Sequence, residues 1–303
     1  MSSARAVEIV EVAPRDGLQN EPRILDTADK AALIGLAAGA GARRIEATSF
    51  VNPRRVPQMA DSDALMAALV RPPGVFLSAL ALNERGCERA LAARCDEITF
   101  VVVATETFSR ANSGGSVAEA LAGWRRVARI AEAAGVRTTA MIAAAFGCPF
   151  EGEVPVSRVL GLAAAILESG PYELAFADTI GCGVPPQVEA LLGGARALAP
   201  GVRLRCHFHN TRNTAVANAV AAVAAGVDAL DAALGGFGGC PFAPAATGNV
   251  ATEDLAYALG RMGVSTGIDT AKAISAAHWL AEKLGRPVES AVARAGLFPR
   301  QET

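Results

Sequence analysis

The chain has 303 residues, 51% of them hydrophobic and 19% charged, and its 28 Lys and Arg against 30 Asp and Glu give a formal net charge of −2. That length can bury a large core and suits one α/β barrel of roughly 250 residues, while the near-neutral balance lacks the basic footprint of a nucleic-acid binder or a membrane-surface patch. A small molecule is the expected partner.

Short β-branched or apolar runs alternate with longer Ala/Leu-rich stretches. VEIVEV (7–12), RRIEAT (43–48), VFLSAL (75–80), EITFVV (97–102), VRTTAMI (136–142), YELAF (172–176), VRLRCHF (202–208) and VDALDAA (227–233) read as eight strands. Between them, stretches such as TADKAALIGLAAGAG and VAEALAGWRRVARIAEAAG favour helices closed by glycine. The alternation predicts a (β/α)8 TIM barrel over about residues 7–265, with a C-terminal helical extension over about 266–303, in a single domain. A doubly wound open sheet is the competitor, but no G-x-G-x-x-G opens a helix after the first strand. The longest uncharged run, Ala232 to Thr252, is broken by the glycines and prolines of GGFGGCPFAP and reads as a loop, not a membrane span. Six cysteines without C-x-x-C pairs, and an N-terminus without an apolar signal core, point to reduced cytoplasm.

In such a barrel the working residues gather at the C-terminal ends of the strands. The first strand runs into APRDGLQNEP, which places Arg15, Asp16, Gln19 and Asn20 there, although Asp16-Gly17 alone also reads as a tight turn. The second carries Glu46 in an apolar context, where a buried acid needs a partner such as Arg15 or Arg43. The sixth ends with Asp178 and Thr179. The seventh ends with His207 and His209, whose i, i+2 spacing puts both imidazoles on one face of the strand. Neutral imidazoles with a cation between them satisfy each other, so the pair reads as metal ligands. His278, among AAHWLAEK, reads as structural. Asp16, His207, His209 and the amide oxygen of Asn249 make an O/N set suited to Mg²⁺ or Mn²⁺, and zinc is disfavoured because no thiolate lies at ligand spacing. Cys240, in the glycine-rich loop ahead of Asn249, is assigned a catalytic or loop-closing role.

VEVAPRDGLQNEP, IEATSFVNPRRVPQM, GCPFEG, DTIGCG, the H-F-H pair and GGCPFAPAATGNVATEDL stand in an order and spacing that resemble the 3-hydroxy-3-methylglutaryl-CoA lyase family, from about residue 7 to about 285. R-D-G-x-Q marks the wider superfamily, whereas G-G-C-P-F-A…G-N-x-A-T-E-D is particular to the lyases. The resemblance implies retro-Claisen cleavage of a 3-hydroxyacyl-CoA with a distal carboxylate, giving acetyl-CoA and a 3-oxo acid. It further implies that Asp16, His207, His209 and Asn249 hold the metal, that Arg15 stabilises the thioester enolate, and that Cys240 belongs to a loop closing on substrate. Glu46 and Asp178 would support or handle protons; Gln19 and Thr179 are assigned to acyl-CoA binding, as is Arg212 on one of its two readings. A homodimer or larger assembly is also implied.

Only Lys30, Lys272 and Lys283 supply amines, and none is at a strand end, which disfavours a Schiff-base aldolase or a carbamylated-lysine centre. The chain departs from the family where H-x-H is usually followed by D-T-Y-G: here Asn210-Thr211-Arg212-Asn213 follows. Arg212 either contacts substrate or pairs with a surface acid, and the former predicts an acyl group other than 3-hydroxy-3-methylglutaryl. Two alternatives stand beside the lyase: a Claisen-condensing enzyme like isopropylmalate synthase, disfavoured because the chain stops soon after the barrel, and a non-catalytic acyl-CoA-binding barrel.

Overall fold

The computed structural model describes residues 5–239 and 248–299. Its strands are β1 (Glu8–Glu11), β2 (Arg44–Ser49), β3 (Phe76–Leu80), β4 (Glu97–Val103), β5 (Arg137–Ala143), β6 (Glu173–Asp178), β7 (Arg203–Phe208) and β8 (Ala229–Ala232). All neighbouring pairs are parallel, and β8 returns to β1 with Glu8 opposite Ala229, so the sheet closes in sequence order into the expected barrel. The strands begin or end within two residues of the predicted runs.

The surrounding helices are α1 (Thr27–Gly39), α2 (Ser62–Ala68), α3 (Glu84–Ala92), α4 (Glu106–Ser113), α5 (Val117–Ala133), α6 (Val156–Leu167), α7 (Pro185–Leu198), α8 (Ala215–Ala224), α9 (Thr252–Arg261), α10 (Thr270–Leu284) and α11 (Ala291–Ala295). Local chemistry sets their ends. Ser116 and Glu119 form a reciprocal capping box that starts α5, and Asp26 accepts the Asp29 N–H to start α1. Gly285 ends α10 at φ +71°, a left-handed turn that glycine adopts without a Cβ clash. α9 is the eighth barrel helix, and α10 and α11 are the extra C-terminal helices. Lys30, in α1, is buried and donates to the Gln58 carbonyl and to Asp61, so it is a structural ion pair.

The lower barrel interior is charged, where branched apolar residues are usual. Arg44 on β2 donates to Glu97 on β4 at 2.5 Å and to both oxygens of Glu173 on β6 at 2.9 and 2.6 Å. The Thr139 hydroxyl donates to Glu97 at 2.8 Å. Arg205 on β7 stands 3.4 Å from Glu173 and 3.3 Å from Asp231 on β8. All of these groups are buried. Removing one member strands the others in a low-dielectric interior, which costs more than the intact cluster contributes. Arg44→Met is therefore expected to lower the unfolding free energy by about 3–5 kcal/mol, read from urea titration; a loss below about 1 kcal/mol would contradict a charge-balanced interior.

Candidate active site and metal centre

The upper ends of β1, β7 and β8 assemble the centre. β1 leads into a wide helical turn, Ala13–Gly17, that presents Arg15 and Asp16 instead of the tight turn that Asp16-Gly17 also allowed. His207 and His209 project from β7 and its exit with ring centroids 5.0 Å apart. Their Nε2 atoms lie 3.8 and 3.5 Å from Asp16 Oδ2. One donor atom from each of the three residues falls within 4.8 Å of the others, the only such ligand group among the described residues. Asn249, paired to His209 by an isolated β-bridge, places its amide nitrogen 2.9 Å from Asp16 Oδ2, while its Oδ1 is buried without a hydrogen-bond partner. A carboxylate, two imidazoles and an unsatisfied amide oxygen converging in this way fit a divalent cation with open positions.

Asp231 is a functional residue that the sequence reading missed. It lies on β8 and faces the barrel interior, where Oδ2 is 3.0 Å from His207 Nδ1 and Oδ1 is 3.3 Å from Arg205. That contact turns Nε2 of His207 toward Asp16, the orientation a ligating imidazole needs. The acid at the inward-facing position of VDALDAA was the available signal. Burial opposes charge on His207, but Asp231 and Asp16 outweigh it and raise its pKa above the ordinary value. Burial likewise opposes ionisation of Asp16, yet the Arg15 guanidinium and the two imidazoles hold its carboxyl well below the usual range.

Arg15 is the partner of Glu46, the choice left open with Arg43: Nε donates to Glu46 Oε2 at 2.5 Å, and Nη1 pairs with Asp16. Glu46 sits where the β2–β3 register slips by one residue, a bulge that re-aims side chains at the barrel rim. Arg15, Asp16, Gln19, Thr179, His207 and His209 line one cavity of about 490 Å³, together with an apolar floor of Leu80, Val101, Val103, Met141, Ala143 and Ala177. Asp178 is not among the lining residues. Its two oxygens accept the N–H groups of Cys182 and Gly183 at 2.9 Å each, which fixes the β6–α7 loop.

Nor does Arg212 line the cavity, and its partner is not a surface acid: it donates to the backbone carbonyls of Ile180 and Gly181 at 2.8 and 3.1 Å. Asn213 takes φ +57°, a conformation asparagine tolerates in place of glycine, and Asn210 Oδ1 caps the start of α8 by accepting the Ala215 N–H. The residues that depart from the family pattern thus serve the β6–α7 loop and the start of α8. Cys240 lies outside the described residues. Burial pushes the Cys182 thiol up to about 12 and the Cys87 thiol to about 11, so neither is an activated thiolate. His278 bonds the Ala293 carbonyl at 3.1 Å, joining α10 to α11.

A family model described as HMGL-like matches residues 6–280. The chain belongs to the HMGL-like family. It is 45% identical to the (R)-citramalyl-CoA lyase of Chloroflexus aurantiacus, over 97% of this chain and 96% of that protein. It is 41% identical to the hydroxymethylglutaryl-CoA lyase YngG of Bacillus subtilis, over 96% and 97%. Among solved structures it superposes with a TM-score of 0.94 on an HMG-CoA lyase from Acinetobacter baumannii in complex with coenzyme A and 3-methylmalate, at 34% identity over 100% and 99% of the two chains. As a member of this family the chain is a carbon–carbon lyase acting on CoA esters, a reading that neither the condensing alternative nor the non-catalytic barrel shares.

The joint that carries Asn249 into α9 depends on Glu253, whose two oxygens share the Gly235 N–H at 3.1 and 3.2 Å. Burial pushes its pKa from 4.5 up to about 8. Between those values the folded chain holds a proton that the unfolded chain has released, so this group's contribution is full below about pH 4.5 and is lost as pH rises through 8. Glu253→Gln keeps an acceptor and cannot titrate. Moving from pH 5.5 to 8.5, the variant is expected to gain on the order of a few kcal/mol relative to the parent, read as a crossing of their Tm curves; parallel curves would contradict a neutral Glu253.

Proposed function

We propose that the protein cleaves a 3-hydroxy-3-methylacyl-CoA bearing a distal carboxylate, releasing acetyl-CoA and an oxo acid with the help of Mg²⁺ or Mn²⁺. The observation carrying this reading is the convergence of Asp16, His207 and His209 within 4.8 Å at the wall of a cavity that Arg15 also lines. Asp16, His207, His209 and Asn249 would hold the ion, which when bound lowers the pKa of the substrate hydroxyl and polarises the emerging ketone. The C2–C3 bond breaks as the hydroxyl loses its proton, C3 becomes the carbonyl, and the electron pair passes to C2 and the thioester oxygen. A proton added at C2 then gives acetyl-CoA. Arg15 meets the negative charge on that oxygen, with Glu46 and Asp16 fixing its fork before the reaction begins.

The apolar floor receives the C3 methyl group. From the centre the cavity runs to a rim of Asn52, Arg55, Asn83 and Asn112, whose amides and one guanidinium suit the pantetheine and phosphates of coenzyme A. The 45% identity to a citramalyl-CoA lyase favours a second reading of the acyl group, citramalyl-CoA, which would yield pyruvate in place of the acetoacetate formed from 3-hydroxy-3-methylglutaryl-CoA.

The test is acetyl-CoA release from both thioesters by the purified protein, with and without chelator. Chelation is expected to abolish turnover, and Mg²⁺ or Mn²⁺ to restore it. Asp16→Asn and His207→Ala are each expected to lose about a hundredfold or more in kcat while keeping the parental circular dichroism spectrum. No acetyl-CoA from either thioester would overturn the reading, and the faster substrate assigns the acyl group. Arg15→Gln is expected to lower kcat by about 10²–10³-fold with a much smaller change in KM; equal losses in both would mean that Arg15 binds ground and transition states alike.

A further inference from the structure

The segment joining α10 to α11 reaches the catalytic face. Arg286 donates to both oxygens of buried Glu21 at 3.1 and 3.4 Å, and to Glu289 at 2.9 Å, and its guanidinium lies 5.0 Å from the centre of the buried Phe237 ring. Glu289 in turn donates its N–H to the Gly235 carbonyl at 2.9 Å.

Two of these contacts, those to Phe237 and Glu21, lead on to Asn249. The Phe237 carbonyl accepts the Asn249 side-chain amide at 3.0 Å and its backbone N–H at 3.3 Å. Glu21 bonds the backbone of Gly238, which takes φ +105° and lies so close to Asn249 that a Cβ there would fall 2.5 Å from the Asn249 side-chain nitrogen. The neighbouring Asn20 donates to the Gly239 carbonyl at 2.7 Å, tying the same β1 loop to the same stretch. We propose that Arg286 is a positioning residue: from the C-terminal extension it locks the β1 loop that carries Asp16 against residues 235–239, and so sets the Asn249 side chain at the metal centre.

This inference rests on the metal reading above, and its test separates the two. Mn²⁺ affinity is measured by the electron paramagnetic resonance signal of the free ion, and amide hydrogen exchange is followed for residues 234–239 and 248–251 without added metal. Arg286→Ala is expected to raise the Mn²⁺ Kd about tenfold, to speed exchange in those two stretches, and to leave the KM for the thioester within about twofold. Arg261→Ala, which removes a cation stacked on Phe298 of the same extension and touches nothing at the site, is the control and should change neither readout.

Unchanged exchange in Arg286→Ala overturns the proposal. So does faster exchange with an unaltered Mn²⁺ Kd, because the clamp would then be structural only. If the parent protein binds no Mn²⁺, the metal reading fails, and exchange alone decides whether Arg286 holds the loop. Should Arg286→Ala not fold, Arg286→Lys replaces it: lysine keeps a cation over Phe237 but loses the planar fork, and an intermediate rise in Kd is expected.

Discussion

A column of alternating charge inside the barrel is the constraint on which the site depends. Arg44 pairs with both Glu97 and Glu173, Arg205 links Glu173 to Asp231, and Asp231 grips His207. Buried ions of this number hold only when each has its opposite in reach, so the strands must keep a register that stacks β2, β4, β6, β7 and β8 at matching heights. The same register delivers His207 and His209 to the upper rim. Fold stability and ligand geometry are therefore one requirement, expressed at two levels of a single interior.

Above the column, carboxylates are divided between aiming and fastening. Glu46 and Asp231 each aim a group that works at the site, a guanidinium and an imidazole. Glu11, Asp178 and Glu253 fasten backbone: Glu11 accepts the N–H groups of Ala13 and Leu234 and the Thr252 hydroxyl, joining the start of the β1 turn to the exit of β8. Catalytic loops need both services, since a ligand on an unfastened loop loses its geometry even when its own identity is intact.

The eight strands were legible because apolar runs and Ala/Leu stretches alternate without interruption, and the H-x-H spacing by itself put two imidazoles on one face. Asp16 was legible from its place at the first strand end and Asn249 from its amide oxygen, but with 233 residues between them no local pattern showed that they meet, and the family resemblance supplied the stronger reason to group them. Asp231 and Arg205 stayed hidden for a different reason: inside a strand pattern a charged residue reads as the solvent face, and only barrel closure turns that face inward. Arg212 misled in the opposite sense. A cation in an altered motif beside the H-x-H pair left substrate and a surface acid as its two candidate partners, yet in the structure it donates to the backbone carbonyls of the adjoining loop instead.

Closure of the sheet between β1 and β8 has a kinetic meaning as well as a geometric one. Glu8 and Ala229 are paired across almost the whole barrel sequence, so this seam carries the greatest loop-closure cost and is disfavoured until the intervening strands have assembled. Asp16 stands on one side of the seam, and Asn249 follows the strand on the other. A chain folded everywhere but at the seam would hold its two imidazoles and Asn249 together, since Asn249 bridges to His209, but would lack the Asp16 carboxylate opposite them. The four candidate donors therefore converge only in a finished barrel, and an ion held by all four would draw the last pairing step toward completion.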